Sequence, residues 1–286
     1  MKLLPVTLAF LVLLATASLL WTSSPILIPK STSNGGKTDY VANAPSLNQQ
    51  HSQPTVAKIA RQVTVRILTE PGFGSGVIID RQGQTYTVLT CEHVVADSQD
   101  DHYAVLTADG MTHPARRKPL THLGDTDLAL MQFKSKTPYR VAELGDSDTL
   151  SIGERVYASG FPNYQFLSKN NVEDTRDWGI RAFQFTKGEF SLLLKRSLPE
   201  GYRLGYTNEV EQGMSGGPVL NQSGQLIGIN GRLKYPLQGI DVFTFADGTK
   251  PSVEFFQQME ALSWAIPITT FRQIAKRDLT QPQTYP

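Results

Sequence analysis

The sequence predicts an all-β fold: two β-barrels of about a hundred residues each over Thr55 to Arg277, closed by a short C-terminal helix. Three observations carry this reading. Short runs of branched and aromatic residues recur along the chain, several of them alternating apolar with polar. Gly, Asn and Asp clusters punctuate those runs at turn spacing. The span is also too long for one small barrel and shows no internal repeat.

The elements follow in order. Residues 1–22 carry Lys2 and then an almost unbroken apolar run from Leu3 to Trp21. A cleaved export signal and an uncleaved membrane anchor through residues 3–21 both fit it. Residues 23–54 are rich in Ser, Pro, Asn, Gln and Thr without periodicity, the composition of a flexible linker. A short helix is expected at "PTVAKIARQ", starting near Pro54. Strands are expected at "QVTVRIL", "GSGVIID", "TYTVLT", "HYAVLTADG" and "LALMQF", which form an N-terminal barrel over 55–148. The polar stretch Leu144 to Ile152 marks the boundary. A C-terminal barrel over 149–277 then takes "ERVYASGF", "AFQFTKG", "FSLLLKR", "YRLGYT", "GPVLN", "QLIGING" and "WAIPI". Asn163 to Asp177 reads as a weakly structured surface excursion and Asn221 to Gly224 as a hairpin turn. Arg232 to Ser263 reads as an added loop with one helical turn, in which Phe255, Phe256 and Met259 are core, a lid or a partner patch. The last helix is expected at Thr269 to Arg277, capped by Thr269 or Thr270, with 278–286 a fraying tail.

Composition excludes some functions. There are 27 basic and 26 acidic side chains, which gives no reason to expect nucleic acid as a partner. Cys91 is the only cysteine, so no intramolecular disulfide forms. It is read as a small buried hydrophobe or a redox-sensitive thiol. His102, His113 and His122 lack a compact set of Cys or carboxylate companions, so neither a metal nor any other cofactor is expected. "GFGSG" at Gly72 to Gly76 lacks the Lys and Ser/Thr of a phosphate loop, and "ARRKP" at Ala115 to Pro119 reads as a solvated turn.

One constellation carries chemistry. "GMSGGP" crowds Gly213, Gly216 and Gly217 around Ser215, which suggests unusual dihedrals or close backbone approach. An alcohol becomes a nucleophile only beside a base, and the base needs an orienting group. His51 lies in the linker, whereas His93 in "LTCEHVV" directly follows a strand that can aim it. Asp127 in "TDLALMQF" precedes an apolar strand that can hold it still. The candidate set is His93, Asp127 and Ser215.

These three motifs, in this order, resemble those of the chymotrypsin-like serine peptidases, nearest to the compact bacterial HtrA-like branch. "GFP" at Gly160 to Pro162 and "WAIPI" at Trp264 to Ile268 strengthen the resemblance, which covers about Val56 to Ile274. It implies two six-stranded antiparallel barrels with the active site in the cleft between them. The implied function is a serine endopeptidase acting on protein or peptide substrates, exported to the bacterial periplasm, anchored on the non-cytoplasmic side of a membrane, or extracellular. The implied oxyanion hole is the N–H pair of Gly213 and Ser215. Glu209 stands at the pocket-base position, where it either selects a basic side chain or faces solvent. Gln212 and the strand through Ile229, Asn230 and Gly231 are expected to border the substrate. Met214 replaces the aspartate of digestive members, so no zymogen switch through a new N-terminus is expected. Twelve residues follow Ile274, and no PDZ domain is expected. The rival reading is a catalytically silent peptide-binding or scaffold module on the same fold.

Overall fold

Thr55 opens the first helix, α1 (Val56–Val63), by accepting the Lys58 N–H on Oγ1 at 3.4 Å. The computed structural model describes residues 55–280 except 71, 97, 99–101, 121–122 and 169–170. The leader, the linker, His51, His122 and residues 281–286 lie outside the described residues. Among the described residues no helix is long and apolar enough to cross a membrane.

Helix α1 runs straight into β1 (Thr64–Thr69). With β2 (Phe73–Gln82), β3 (Thr85–Thr90), β4 (Tyr103–Leu106), β5 (Thr112–Lys118) and β6 (Ala129–Lys134), β1 closes an antiparallel barrel in the order β1-β2-β3-β6-β5-β4. Val65, Ile67, Val88, Met131 and Phe133 fill it. The expected solvated turn at "ARRKP" is instead the second half of β5. That strand pairs with β4 and β6, turns His113 and Ala115 partly inward and leaves its basic residues in solvent.

The second barrel has the order β10-β11-β14-β13-β12-β7. It contains β7 (Arg155–Gly160), β10 (Gln184–Leu193), β11 (Leu204–Tyr206), β12 (Pro218–Leu220), β13 (Leu226–Arg232) and β14 (Ser263–Pro267). Val156, Ala158, Leu204, Tyr206 and Ile227 form its interior. Two runs expected as separate strands, "AFQFTKG" and "FSLLLKR", are one long strand, β10, whose N-terminal part pairs with β7 and whose end pairs with β11. Two closed six-stranded antiparallel barrels are therefore present, the chymotrypsin-like architecture expected.

The excursion after β7 is more ordered than its composition implies. It holds a hairpin, β8 (Tyr164–Ser168) and β9 (Asn171–Asp174). The added loop before β14 holds a two-turn helix, α3 (Val253–Glu260), rather than one turn. Met259 there is buried, and Phe256 packs edge-on against Phe243 with centroids 5.6 Å apart, so this group is core. The last helix, α4 (Ile268–Thr280), begins before Thr269. The Thr269 N–H donates to Ser147 Oγ from the inter-barrel connection at 3.3 Å, which caps the first turn from outside.

The barrels share a seam. Val77, Leu89 and Leu128 of the first belong to one buried cluster with Leu220, Ile229 and Trp264 of the second and with Ile59 and Val63 of α1.

Candidate active site

β3 ends at Thr90, and after Cys91 the chain turns into a four-residue helix, α2 (Glu92–Val95). His93 stands on that turn rather than on the strand end itself. Asp127 precedes β6 and is fixed by its own N–H, which donates to Glu200 O at 3.0 Å. The Asp127 side chain is 5% exposed and that of His93 49% exposed. Asp127 Oδ1 accepts the backbone N–H of His93 at 2.8 Å, and Oδ2 faces His93 Nδ1 at 2.6 Å. An ionised carboxylate only accepts, so Nδ1 carries the proton and Nε2 keeps its lone pair.

The electrostatics agree with that tautomer. Burial works against the carboxylate of Asp127, but hydrogen bonds from His93 and Tyr202 and the charge on His93 outweigh it, and its pKa lies below the ordinary value. Burial likewise works against a charged imidazole. The hydrogen bond and charge of Asp127, with a smaller contribution from Glu200, outweigh it and lift the His93 pKa.

Ser215 lies in the turn between β11 and β12. Gly213 before it has φ +98°. At Gly216, φ is +83° and a β-carbon would overlap Ser75 O and Thr90 Oγ1, so only glycine fits where this turn presses on the first barrel. Ser75 fastens the contact. Its N–H donates to Ser215 O at 2.8 Å, its Oγ donates to Gly213 O at 2.8 Å, and the same Oγ accepts the Phe161 N–H at 2.8 Å.

The carbonyls on either side set the direction of two amides. Gln212 O accepts the Asn163 N–H at 2.8 Å, and Met214 O accepts Gly217 N–H at 3.0 Å and Asn230 Nδ2 at 3.1 Å. In a trans peptide the N–H points opposite to the C=O. The N–H groups of Gly213 and Ser215 therefore point away from these partners, and among the described residues neither donates to a protein acceptor.

His93, Gln212, Gly213 and Ser215 line one cleft of about 240 Å³, walled on the other side by Phe73 and Asn163. Glu209, Ile229, Asn230 and Gly231 lie outside that lining. Glu209 is 78% exposed and takes the Lys234 ammonium at 2.5 Å. Ile229 and Asn230 are buried in β13, where Asn230 braces Met214 O and Tyr206 Oη. A larger cavity of about 480 Å³ beside Arg232, Leu237 and Trp264 contains no His, Ser, Cys or carboxylate in its lining.

One metal-like grouping exists among the described residues, with ligand atoms of Cys91, His93 and Asp127 within 4.8 Å of one another. Those atoms are already engaged. The Cys91 thiol is fully buried, donates to Asn230 O at 3.3 Å, and is held protonated by burial and by Asp127. His113 Nε2 meets Tyr139 Oη at 2.9 Å, and its ring stacks on Phe133. Ser75, Asn163 and Tyr202 were not singled out from sequence. Their principal partners lie tens of residues away, so no local motif marks them.

A family model described as a trypsin-like peptidase domain matches residues 74–229. The chain is similar to the putative protease Do-like 14 of Arabidopsis thaliana, 31% identical over 65% of this chain and 41% of that protein. It is 29% identical to the serine protease Do-like HtrA of Bacillus subtilis (strain 168) over 76% of this chain and 45% of that protein. A probable periplasmic serine endoprotease DegP-like of Pseudomonas putida (strain GB-1) is 30% identical over 66% of this chain and 35% of its own length. The chain spans less than half the length of these relatives.

Proposed function

The chain belongs to the trypsin-like peptidase family, and from that premise we propose that it is a serine endopeptidase working through His93, Asp127 and Ser215. One observation carries the proposal: His93, oriented by a buried carboxylate 2.6 Å from Nδ1, lines the same cleft as Ser215. Ser215 Oγ attacks the carbonyl carbon of a peptide bond while His93 Nε2 takes its proton. The proton then passes to the leaving amine, and water releases the acyl group by the same steps. Asp127 holds the Nδ1–H tautomer and stabilises the imidazolium. The N–H groups of Gly213 and Ser215 receive the oxyanion, each worth about 3 kcal/mol to the transition state.

The substrate is an extended polypeptide. Glu209 is neutralised by Lys234, which argues against selection of Lys or Arg beside the scissile bond. Residues 1–22 read as an export signal or anchor, and one relative is described as periplasmic. Both support work outside the cytoplasm.

Labelling with an organophosphonate tests the proposal. Wild-type protein should take up one equivalent on Ser215 and cleave a denatured protein such as casein. Ser215→Ala should do neither. A folded wild type that neither labels nor cleaves would return the chain to the silent peptide-binding reading.

A further inference from the structure

Asp127 Oδ2 has a second partner besides the imidazole. The phenol of Tyr202 donates a hydrogen bond to it. Tyr202 is 1% exposed and sits just before β11, in the second barrel, whereas His93 and Asp127 belong to the first.

Its surroundings are built to hold it there. The 3₁₀ turn Pro199–Gly201 sends Glu200 O to the Asp127 N–H at 3.0 Å, so one short segment grips both the backbone and the carboxylate of Asp127. Glu200 adopts φ +66° to do so, a conformation few non-glycine residues take. The Leu198 N–H donates to Tyr202 O at 2.9 Å. The Arg232 guanidinium lies 4.6 Å above the ring and donates to Pro199 O at 3.2 Å and Glu200 Oε2 at 3.0 Å. Opposite the phenol, Gly231 is obligatory, since a β-carbon there would overlap Tyr202 Oη. The strand beside the carboxylate thus gives up its side chain so that a hydroxyl can arrive from another element.

We propose that Tyr202 is a positioning residue of the reaction, its hydroxyl holding Asp127 Oδ2 and, through it, the orientation and basicity of His93. The proposal rests on the peptidase reading. It has two consequences. The hydroxyl shares Oδ2 with the imidazole and holds it from the second barrel, so its loss leaves that oxygen less firmly placed. It also draws charge from Oδ2, so its loss strengthens the pull of Asp127 on the imidazolium. The other titratable or charged groups facing the pair are Cys91, Glu200 and Arg232, and none of them changes in the test.

The test compares two near-isosteric variants with wild type, after labelling has established that the wild type is active. Tyr202→Phe removes the hydroxyl. It should lower kcat by about ten- to hundredfold, as expected for a hydrogen bond to a charged group, and leave KM within about twofold. The acid midpoint of kcat/KM should move to higher pH. Replacing Tyr202 with 3-fluorotyrosine keeps the shape and makes the phenol a stronger donor, so the same midpoint should move to lower pH. Opposite shifts in the two variants are the expected signature. Midpoints that stay put in both, whether or not melting temperature or rate falls, would overturn the proposal and leave Tyr202 as packing. If Tyr202→Phe does not fold, the fluorinated protein decides alone. An inactive wild type would instead count against the peptidase reading.

Discussion

His93 stands half in solvent while Asp127 beside it is buried, and this pairing sets the pH response. The general base must be neutral to take a proton. Its pKa lies above the ordinary 6.5, so kcat/KM should rise with pH through a midpoint above that value. Replacing Asp127 with Asn removes the hydrogen bond and charge that lift the imidazole and leaves burial, which lowers it. The Asp127→Asn midpoint should therefore fall below that of the wild type, and kcat should drop by about 10⁴-fold because an amide can favour the wrong tautomer. A pH–rate series on both proteins checks this, and an unmoved midpoint contradicts it. Stability follows the same groups. The raised His93 pKa contributes stability that is full below 6.5 and fades as pH rises through the folded value. The lowered Asp127 pKa contributes above 3.8 and fades as pH falls through its folded value. The pair thus supports the fold best between those limits.

The elements divide into those whose cause is local and those whose cause is distant. The "GMSGGP" turn could be read from its glycines, and the strands to either side of it from short apolar runs. The excursion after β7 could not. Its polar composition hides the hairpin because its anchor comes from far away: Arg66 Nη1 donates to Thr175 O at 3.1 Å and to Arg176 O at 3.2 Å, while within the excursion the Thr175 N–H donates to Asn163 O at 3.0 Å. Burial lowers the Arg66 pKa, and its guanidinium lies 4.9 Å from the Phe73 ring centroid and 5.9 Å from that of Phe161. The excursion in turn presents the Asn163 N–H that orients the Gln212–Gly213 peptide. The β2 hairpin acts on the same turn from the other side through Ser75. Ser75→Ala would leave Gly213 O and Phe161 N–H buried without that partner, a cost of about 1–3 kcal/mol. It should also loosen the turn that carries Gly213 and Ser215, so kcat should fall by up to about a hundredfold, the value of one oxyanion donor, with little change in KM. Steady-state kinetics beside thermal denaturation checks both parts. A destabilised variant with unchanged kcat would separate Ser75 from the turn.

At the scale of the whole molecule, most strands were legible because short runs of branched and aromatic residues recur between turn residues, whereas the basic, exposed β5 was not. The dependence of one barrel on the other was not, since a seam residue and an interior residue look alike in sequence. The connection from β6 to β7 is fastened to both barrels: the Ala142 N–H donates to Ile78 O at 2.8 Å and the Gly145 N–H to Leu226 O at 2.8 Å. Thr64 Oγ1 donates to Ala60 O, which leaves it to accept from Ser159 Oγ at 2.8 Å across the barrels. Helix α1 sits on the same line, with Ile59 packed over Gly224 in the β12–β13 turn and Val63 in the shared cluster. A cluster to which both barrels contribute cannot be lost by one alone, so unfolding should be a single transition despite the two-barrel design. Ile59→Ala should cost about 2–5 kcal/mol and shift the whole transition without splitting it. Urea denaturation followed by tryptophan fluorescence, to which the buried Trp264 of the second barrel contributes beside Trp21 and Trp178, and by far-UV circular dichroism should give coincident midpoints for wild type and variant. Loss of activity should follow the same curve, because Ser215 belongs to one barrel and His93 to the other. A variant in which one barrel melts first, with fluorescence and dichroism parting company, would mean that the seam joins two independently stable units.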